Sequence, residues 1–268
     1  MQVGCCTSLD NYLAVQEVGF DYIEVSGRAL GTLCESDFLD FYTLLTRNEL
    51  PCLALNAYCP TEVVIAGPGF DISKPRAYAE KIVQRASKIG IKVVNIGSPK
   101  SRSLPNGFDY DLALFQARSF FYDTAEVFRP YGISITVEAL GNCFCNFINT
   151  LDEAESFLES LYPVENMGLV VDFYNMRQSN DTDVDLCRFG NQIFHAHDSD
   201  DLNDPYLRSF YKTENADVHQ KDIQRLKVIG YKGGISIETD VAFDKEAAFY
   251  SLNLIRQIWN LNPIDQVQ

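Results

Sequence analysis

Four residues stand out for chemistry: Glu138, Asp172, His197 and Glu238. Each ends a short β-type run: S-I-T-V-E, G-L-V-V-D, I-F-H-A-H and I-S-I-E. A carboxylate at a buried strand end is costly unless it is paired or bound to a cation. Three of them converging beside an imidazole would repel one another, and one divalent ion resolves that conflict. Three oxygen donors and one nitrogen suit Mn²⁺ first, then Mg²⁺, Co²⁺ or Zn²⁺. Taken singly, each residue also reads as a salt-bridge partner or a cap. Their recurrence on consecutive strands with one parity favours a single metal site.

The elements that must position these residues alternate along the whole chain. Strand-like runs fall at Val3–Cys6, Tyr22–Val25, Cys52–Ala57, Lys92–Ile96, Ser134–Glu138, Gly168–Asp172, Ile193–His197 and Ile235–Glu238. Amphipathic segments lie near Leu9–Val18, Ser36–Arg47, Pro75–Ile89, Asp111–Arg129, Leu151–Glu159, Asp183–Phe189, Asp217–Ile229 and Lys245–Trp259. Eight of each in strict alternation predicts an α/β fold, a single (β/α)8 barrel spanning residues 1–268 as one domain. An open doubly wound sheet would carry a glycine-rich phosphate loop after its first strand, where this chain has C-C-T-S-L-D. Ser8 and Ser36 suit helix N-caps, and Pro75 suits a first helical turn. Gly19, Gly90 and Gly230 fall where helices should stop. Ile133, Ile135 and Val137 share one face of the fifth strand, and Ser134, Thr136 and Glu138 the other. The apolar face should meet the helices. That parity turns the four candidate ligands inward at the C-terminal rim, where barrel active sites occur.

The net charge of −15 argues against nucleic acid as a partner. No apolar run approaches the roughly 20 residues of a membrane span, and the N-terminus lacks a signal-peptide pattern, so a cytoplasmic protein is expected. The eight cysteines are then expected to be reduced, with Cys5, Cys6 and Cys52 inside strands and the Cys143/Cys145 pair as loop thiols rather than a zinc or redox site.

The chain resembles the xylose isomerase-like barrel superfamily, particularly its sugar isomerase and ketose 3-epimerase branch. The resemblance rests on V-G-F-D-Y-I-E at the second strand, T-V-E-A-L at the fifth, L-V-V-D-F-Y-N at the sixth, F-H-A-H-D-S-D-D at the seventh and Y-K-G-G-I-S-I-E at the eighth. It implies a metal held by Glu138, Asp172, His197 and Glu238, with Glu138 and Glu238 as the acid/base pair. A small carbohydrate is the implied partner, and a homodimer or homotetramer the implied assembly. A cation at a substrate carbonyl and its neighbouring hydroxyl would stabilise an enediolate after an α-proton leaves. Return of a proton to the opposite face gives epimerisation; its movement to a neighbouring carbon gives isomerisation. Three features depart from the epimerase pattern. Asn175 replaces a substrate-binding histidine, Phe144 replaces a glutamate, and the arginine usual after the seventh strand has no counterpart in Asp198-Ser199-Asp200-Asp201.

Further substrate contacts are expected from Glu24 and Asn56 at strand ends, Asn175, His195 one layer below His197, and the loop cations Lys100 and Arg102, which suit a phosphate or carboxylate. Each has a plainer reading, as a rim residue, a structural histidine or a solvated cation. Tyr58 and Phe144 are candidates for the pocket wall, and His219 for the surface. Competing activities on this scaffold are an inosose-type dehydratase, a non-catalytic sugar-binding relative and an apurinic-site endonuclease. The last would need more than the three histidines present.

Overall fold

Glycine turns deliver the chain from helix to strand. Gly19 and Gly90 adopt φ of 95° and 90°, a left-handed conformation open to glycine at little cost, and close the helices Tyr12–Val18 (α1) and Lys74–Ile89 (α4). The computed structural model describes residues 1–161, 163–200, 204 and 206–260. Its strands are Gln2–Cys6 (β1), Tyr22–Ser26 (β2), Cys52–Asn56 (β3), Val93–Ile96 (β4), Ser134–Glu138 (β5), Met167–Asp172 (β6), Ile193–Asp198 (β7) and Gly234–Glu238 (β8). The remaining helices are Gly27–Thr32 (α2), Glu35–Arg47 (α3), Tyr110–Phe128 (α5), Leu151–Glu159 (α6), Phe173–Gln178 (α7), Ala216–Val228 (α8) and Lys245–Trp259 (α9). All strand pairs are parallel, and β1 pairs with β8, so the sheet closes in chain order into a (β/α)8 barrel.

Strand parity is as the alternation predicts. Ile135, Val137, Leu169, Val171, Ile235 and Ile237 are fully buried in the outer core beneath Ile82 and Ala86 of α4, Phe120 and Phe121 of α5, and Leu252 of α9. Each such side chain contributes about 1.5–3 kcal/mol when withdrawn from water. Inside the barrel the base is apolar, with Tyr22, Ala54 and Val93 packed together. Gly4 makes room for them: a Cβ there would lie 2.2 Å from the Tyr22 ring. Toward the C-terminal rim the interior becomes polar. The register setting Asp172 beside His197 brings two candidate ligands onto one level.

Three local expectations change. The helix expected over Asp183–Phe189 is reduced to short 3₁₀ turns, Leu186–Arg188 and Gly190–Gln192. Its place after β6 is taken by α7, which the Asp172 carboxylate caps by accepting from Asn175 N at 3.1 Å. The N-cap of α3 is Cys34 rather than Ser36, the Asp37 N–H donating to its Sγ at 3.4 Å. The short α2 follows β2 directly, capped by the Ser26 hydroxyl. No described helix is long and apolar enough to cross a membrane.

Candidate metal centre

Glu138, Asp172, His197 and Glu238 meet at the C-terminal mouth, one from each of β5 to β8. Each offers a ligand atom within 4.8 Å of the other three. Asp172 is 2 % and His197 1 % exposed. Glu138 and Glu238 also line a cavity of about 320 Å³ that opens to solvent.

The imidazole of His197 is aimed from below. Burial alone would raise the Glu24 carboxyl, but His197 and His195 hold it well below the usual carboxylate range, so it accepts. Nε2 of His197 lies 3.0 Å from Glu24 Oε1, and Nε2 of His195 lies 2.9 Å from Oε2. Asn95 Nδ2 adds a third donor at 2.8 Å, and the Asn95 Oδ1 accepts from the Thr136 hydroxyl at 2.7 Å. With Nε2 held at Glu24, His197 turns Nδ1 toward the carboxylates, 3.7 Å from Glu238 Oε2. Nδ1 is buried and has no hydrogen-bond partner among the described residues. A buried nitrogen left open beside three carboxylates fits a cation ligand, and a carboxylate behind a histidine is the usual support for one.

The electrostatics agree. Burial, with Asp172 and Glu238 as like-charged neighbours, pushes the Glu138 carboxyl up to about 8. Burial would raise Asp172 too, but Arg208 and His197 keep it low. Burial would lower His197, yet Glu24, Glu238 and Glu138 outweigh it and push the imidazole up to about 10. Glu138 is thus raised in part by two like-charged neighbours, a repulsion that a bound cation would relieve. A second grouping, Cys6, Glu24 and His197, fits a metal poorly. The Cys6 thiol is pushed far up by burial and by Glu24, and Glu24 is already saturated with donors.

The other expected site residues divide. Asn175 lines the cavity, but its amide is tied to the ligands, Nδ2 donating to Glu138 Oε1 and Asp172 Oδ2 at 2.8 Å each, while Oδ1 accepts from Gly141 N at 3.1 Å. Asn56 donates to Glu238 Oε1 at 3.0 Å. Lys100 lines the cavity. Glu24 and His195, expected at the substrate, are instead buried at 0 % and 2 % exposure outside the cavity lining, bonded to each other, with Glu24 also bonded to His197. Arg102, expected at a substrate phosphate or carboxylate or else as a solvated loop cation, is fully buried with its guanidinium donating to the Glu138 carbonyl. Phe144 lines the cavity, whereas Tyr58 is fully buried against Tyr78, Phe120 and Phe128. All eight cysteines are free, Cys5, Cys6 and Cys52 within strands.

Sequence reasoning missed Arg208. Nη1 donates to Asp172 Oδ2 at 3.0 Å and also to Glu238 Oε2, and the guanidinium lies 4.4 Å over the Tyr174 ring. It stands ten residues beyond β7, outside the window searched after that strand; Asp201 of that window lies outside the described residues. His219, expected at the surface, is fully buried, Nδ1 2.8 Å from Asp198 Oδ2 and Nε2 3.1 Å from Asp200 Oδ2. Two carboxylates following β7 draw the imidazole inward. Gly97 was missed as well: a Cβ there would lie 2.2 Å from Glu138 Oε2, so the ligand carboxylate uses the space glycine leaves.

Residues 13–258 match the family described as xylose isomerase-like TIM barrel. The chain belongs to that family. No curated protein matches it. Among solved structures, this xylose isomerase-like barrel is similar to D-psicose 3-epimerase from Clostridium cellulolyticum H10, with TM-score 0.79 and 16 % identity over 97 % of this chain and 99 % of the other. It is also similar to the E. coli 3-keto-D-glucoside 4-epimerase YcjR, with TM-score 0.76 and 18 % identity over 96 % and 99 %. A third, the IOLI protein with a binding zinc atom, gives TM-score 0.68 and 17 % identity over 97 % and 98 %. At these identities the structures establish a shared fold.

Proposed function

We propose that this chain is a divalent-metal-dependent enzyme that moves a proton at a carbon beside a carbonyl in a small sugar or related ketone, as an isomerase or epimerase. The observation that carries the reading is the open Nδ1 of His197, aimed by Glu24 into a cluster of three carboxylates on the rim of a cavity. Glu138, Asp172, His197 and Glu238 would hold the cation, with Mn²⁺ the first choice for this donor set. When bound, the cation supplies Lewis-acid stabilisation of negative charge developing on substrate oxygen.

The chain's own residues supply the proton path. Glu138 and Glu238 both line the cavity, from strands three apart, so a substrate bound there would meet two carboxyls. One removes the proton and the other returns it. Asn175 fixes the Glu138 carboxyl through Oε1. Asn56 and Arg208 fix Glu238 through its two oxygens. Phe144 covers one side of the mouth and stacks on Tyr174 at 6.2 Å, excluding water from part of the site. The similarity to sugar epimerases supports this substrate class, as does the small polar-lined cavity.

Metal analysis of purified protein, beside an Asp172→Asn/Glu238→Gln double variant, tests the centre. About one ion per chain is expected, lost in the double variant. A panel of ketoses and their phosphates in deuterated water then tests the chemistry, with deuterium expected at the carbon beside the carbonyl and substrate mass otherwise conserved. Loss of water would replace isomerisation by dehydration. Full turnover by Glu138→Gln would remove the acid/base assignment.

A further inference from the structure

The cavity has two unlike walls. Its acidic wall is the ligand cluster on β5 to β8. Across the mouth, α2 and the segments following β3 and β4 contribute the exposed Arg28, Thr61 and Lys100 to the same cavity. In a barrel whose strands run in chain order, β2 to β4 face β6 to β8. Arg28 and Lys100 form no ion pair with any described carboxylate, although the chain carries 37 acidic residues against 22 basic ones. Arg208, the third cation of the cavity, is already spent on Asp172 and Glu238.

This wall is tied together. Arg28 N donates to Ala57 O at 3.2 Å, joining the start of α2 to the loop after β3. Cys59 N donates to the Ser98 hydroxyl at 3.1 Å, joining that loop to the segment after β4. Ala57 and Ser98, which both line the cavity, have φ of 41° and 52°, a left-handed region that non-glycine residues seldom adopt.

We infer that the site takes a sugar bearing a terminal anionic group, a phosphate ester or a carboxylate, held between Arg28 and Lys100 while the opposite end of the molecule lies at Glu138 and Glu238. The inference rests on the proposed sugar-binding metal centre. It makes Arg28 and Lys100 specificity determinants, and it removes Arg102, buried behind the Glu138 carbonyl, from that role.

The test is calorimetric binding of ribitol, ribitol 5-phosphate and ribonate to the Mn²⁺-loaded protein and to Arg28→Gln and Lys100→Gln variants, with metal content measured in every sample. A charge-assisted contact is worth roughly 10-fold or more in affinity. At least one charged ligand is therefore expected to bind at least 10-fold more tightly than ribitol. Each variant should lower that preference by about 10-fold, leaving ribitol binding and metal content unchanged. Preference for ribitol 5-phosphate assigns the group as a phosphate ester, and preference for ribonate as a carboxylate. Equal binding of all three to metal-loaded wild type overturns the inference and leaves the metal centre standing. So does a preference that survives in both variants. Absence of stoichiometric metal, or of binding by any of the three, overturns both.

Discussion

The buried imidazole of His219 is the group whose removal gives the sharpest reading of how the loop after β7 is held. Its Nδ1 and Nε2 bind Asp198 and Asp200, and its ring stacks on Tyr211 at 3.8 Å with 14° between planes. Burial alone would lower its pKa, but the two aspartates outweigh burial and push it from 6.5 to about 9. A folded-state value above the unfolded one means that protonation stabilises the fold. The contribution is fully present below about 6.5 and is lost as pH rises through about 9. A displacement of that size is worth about 3 kcal/mol. The low pKa of Asp198 expresses the same attraction and adds nothing further. Asp222, pushed up to about 7 by burial and by Asp198, titrates in the same window, so the comparison belongs in an Asp222→Asn background. Urea unfolding near pH 6 and near pH 10, with chelator present throughout, should show the parent losing about 3 kcal/mol more than its His219→Gln partner. A gap between the two proteins that stays constant across that range would refute the assignment of a charged imidazole.

Two substitutions probe the centre from positions that hold no metal. Gly97→Ala forces the Glu138 carboxylate away from a Cβ 2.2 Å from Oε2. Turnover should fall by about 100-fold while circular dichroism stays unchanged, and turnover within twofold of wild type would show that the carboxylate needs no such seat. Glu24→Gln sets an amide donor against the imidazole N–H groups that Glu24 now accepts. Chelator competition should then show metal affinity reduced by about 10–100-fold, and an unchanged affinity would remove Glu24 from the support of His197.

The sequence by itself determined the barrel and the four residues that meet at its mouth, because both are written in local pattern. Period-two alternation marked β5 to β8 and turned Glu138, Asp172, His197 and Glu238 to one side, and glycine marked the turns after α1, α4 and α8. The tertiary structure decided which polar residues serve those ligands. Lys100 and Arg102 are two positions apart, yet a 3₁₀ turn leaves one at the cavity and buries the other. Glu24 and His195 have the parity of site residues but lie a layer too deep to meet substrate. Arg208 and His219 carry no local signal, since their places are set by Asp172, Glu238, Asp198 and Asp200, distant in the chain and close only once the strands have closed. Periodicity reports which way a side chain points. Charge pairing across a closed barrel depends on distances that exist only after folding.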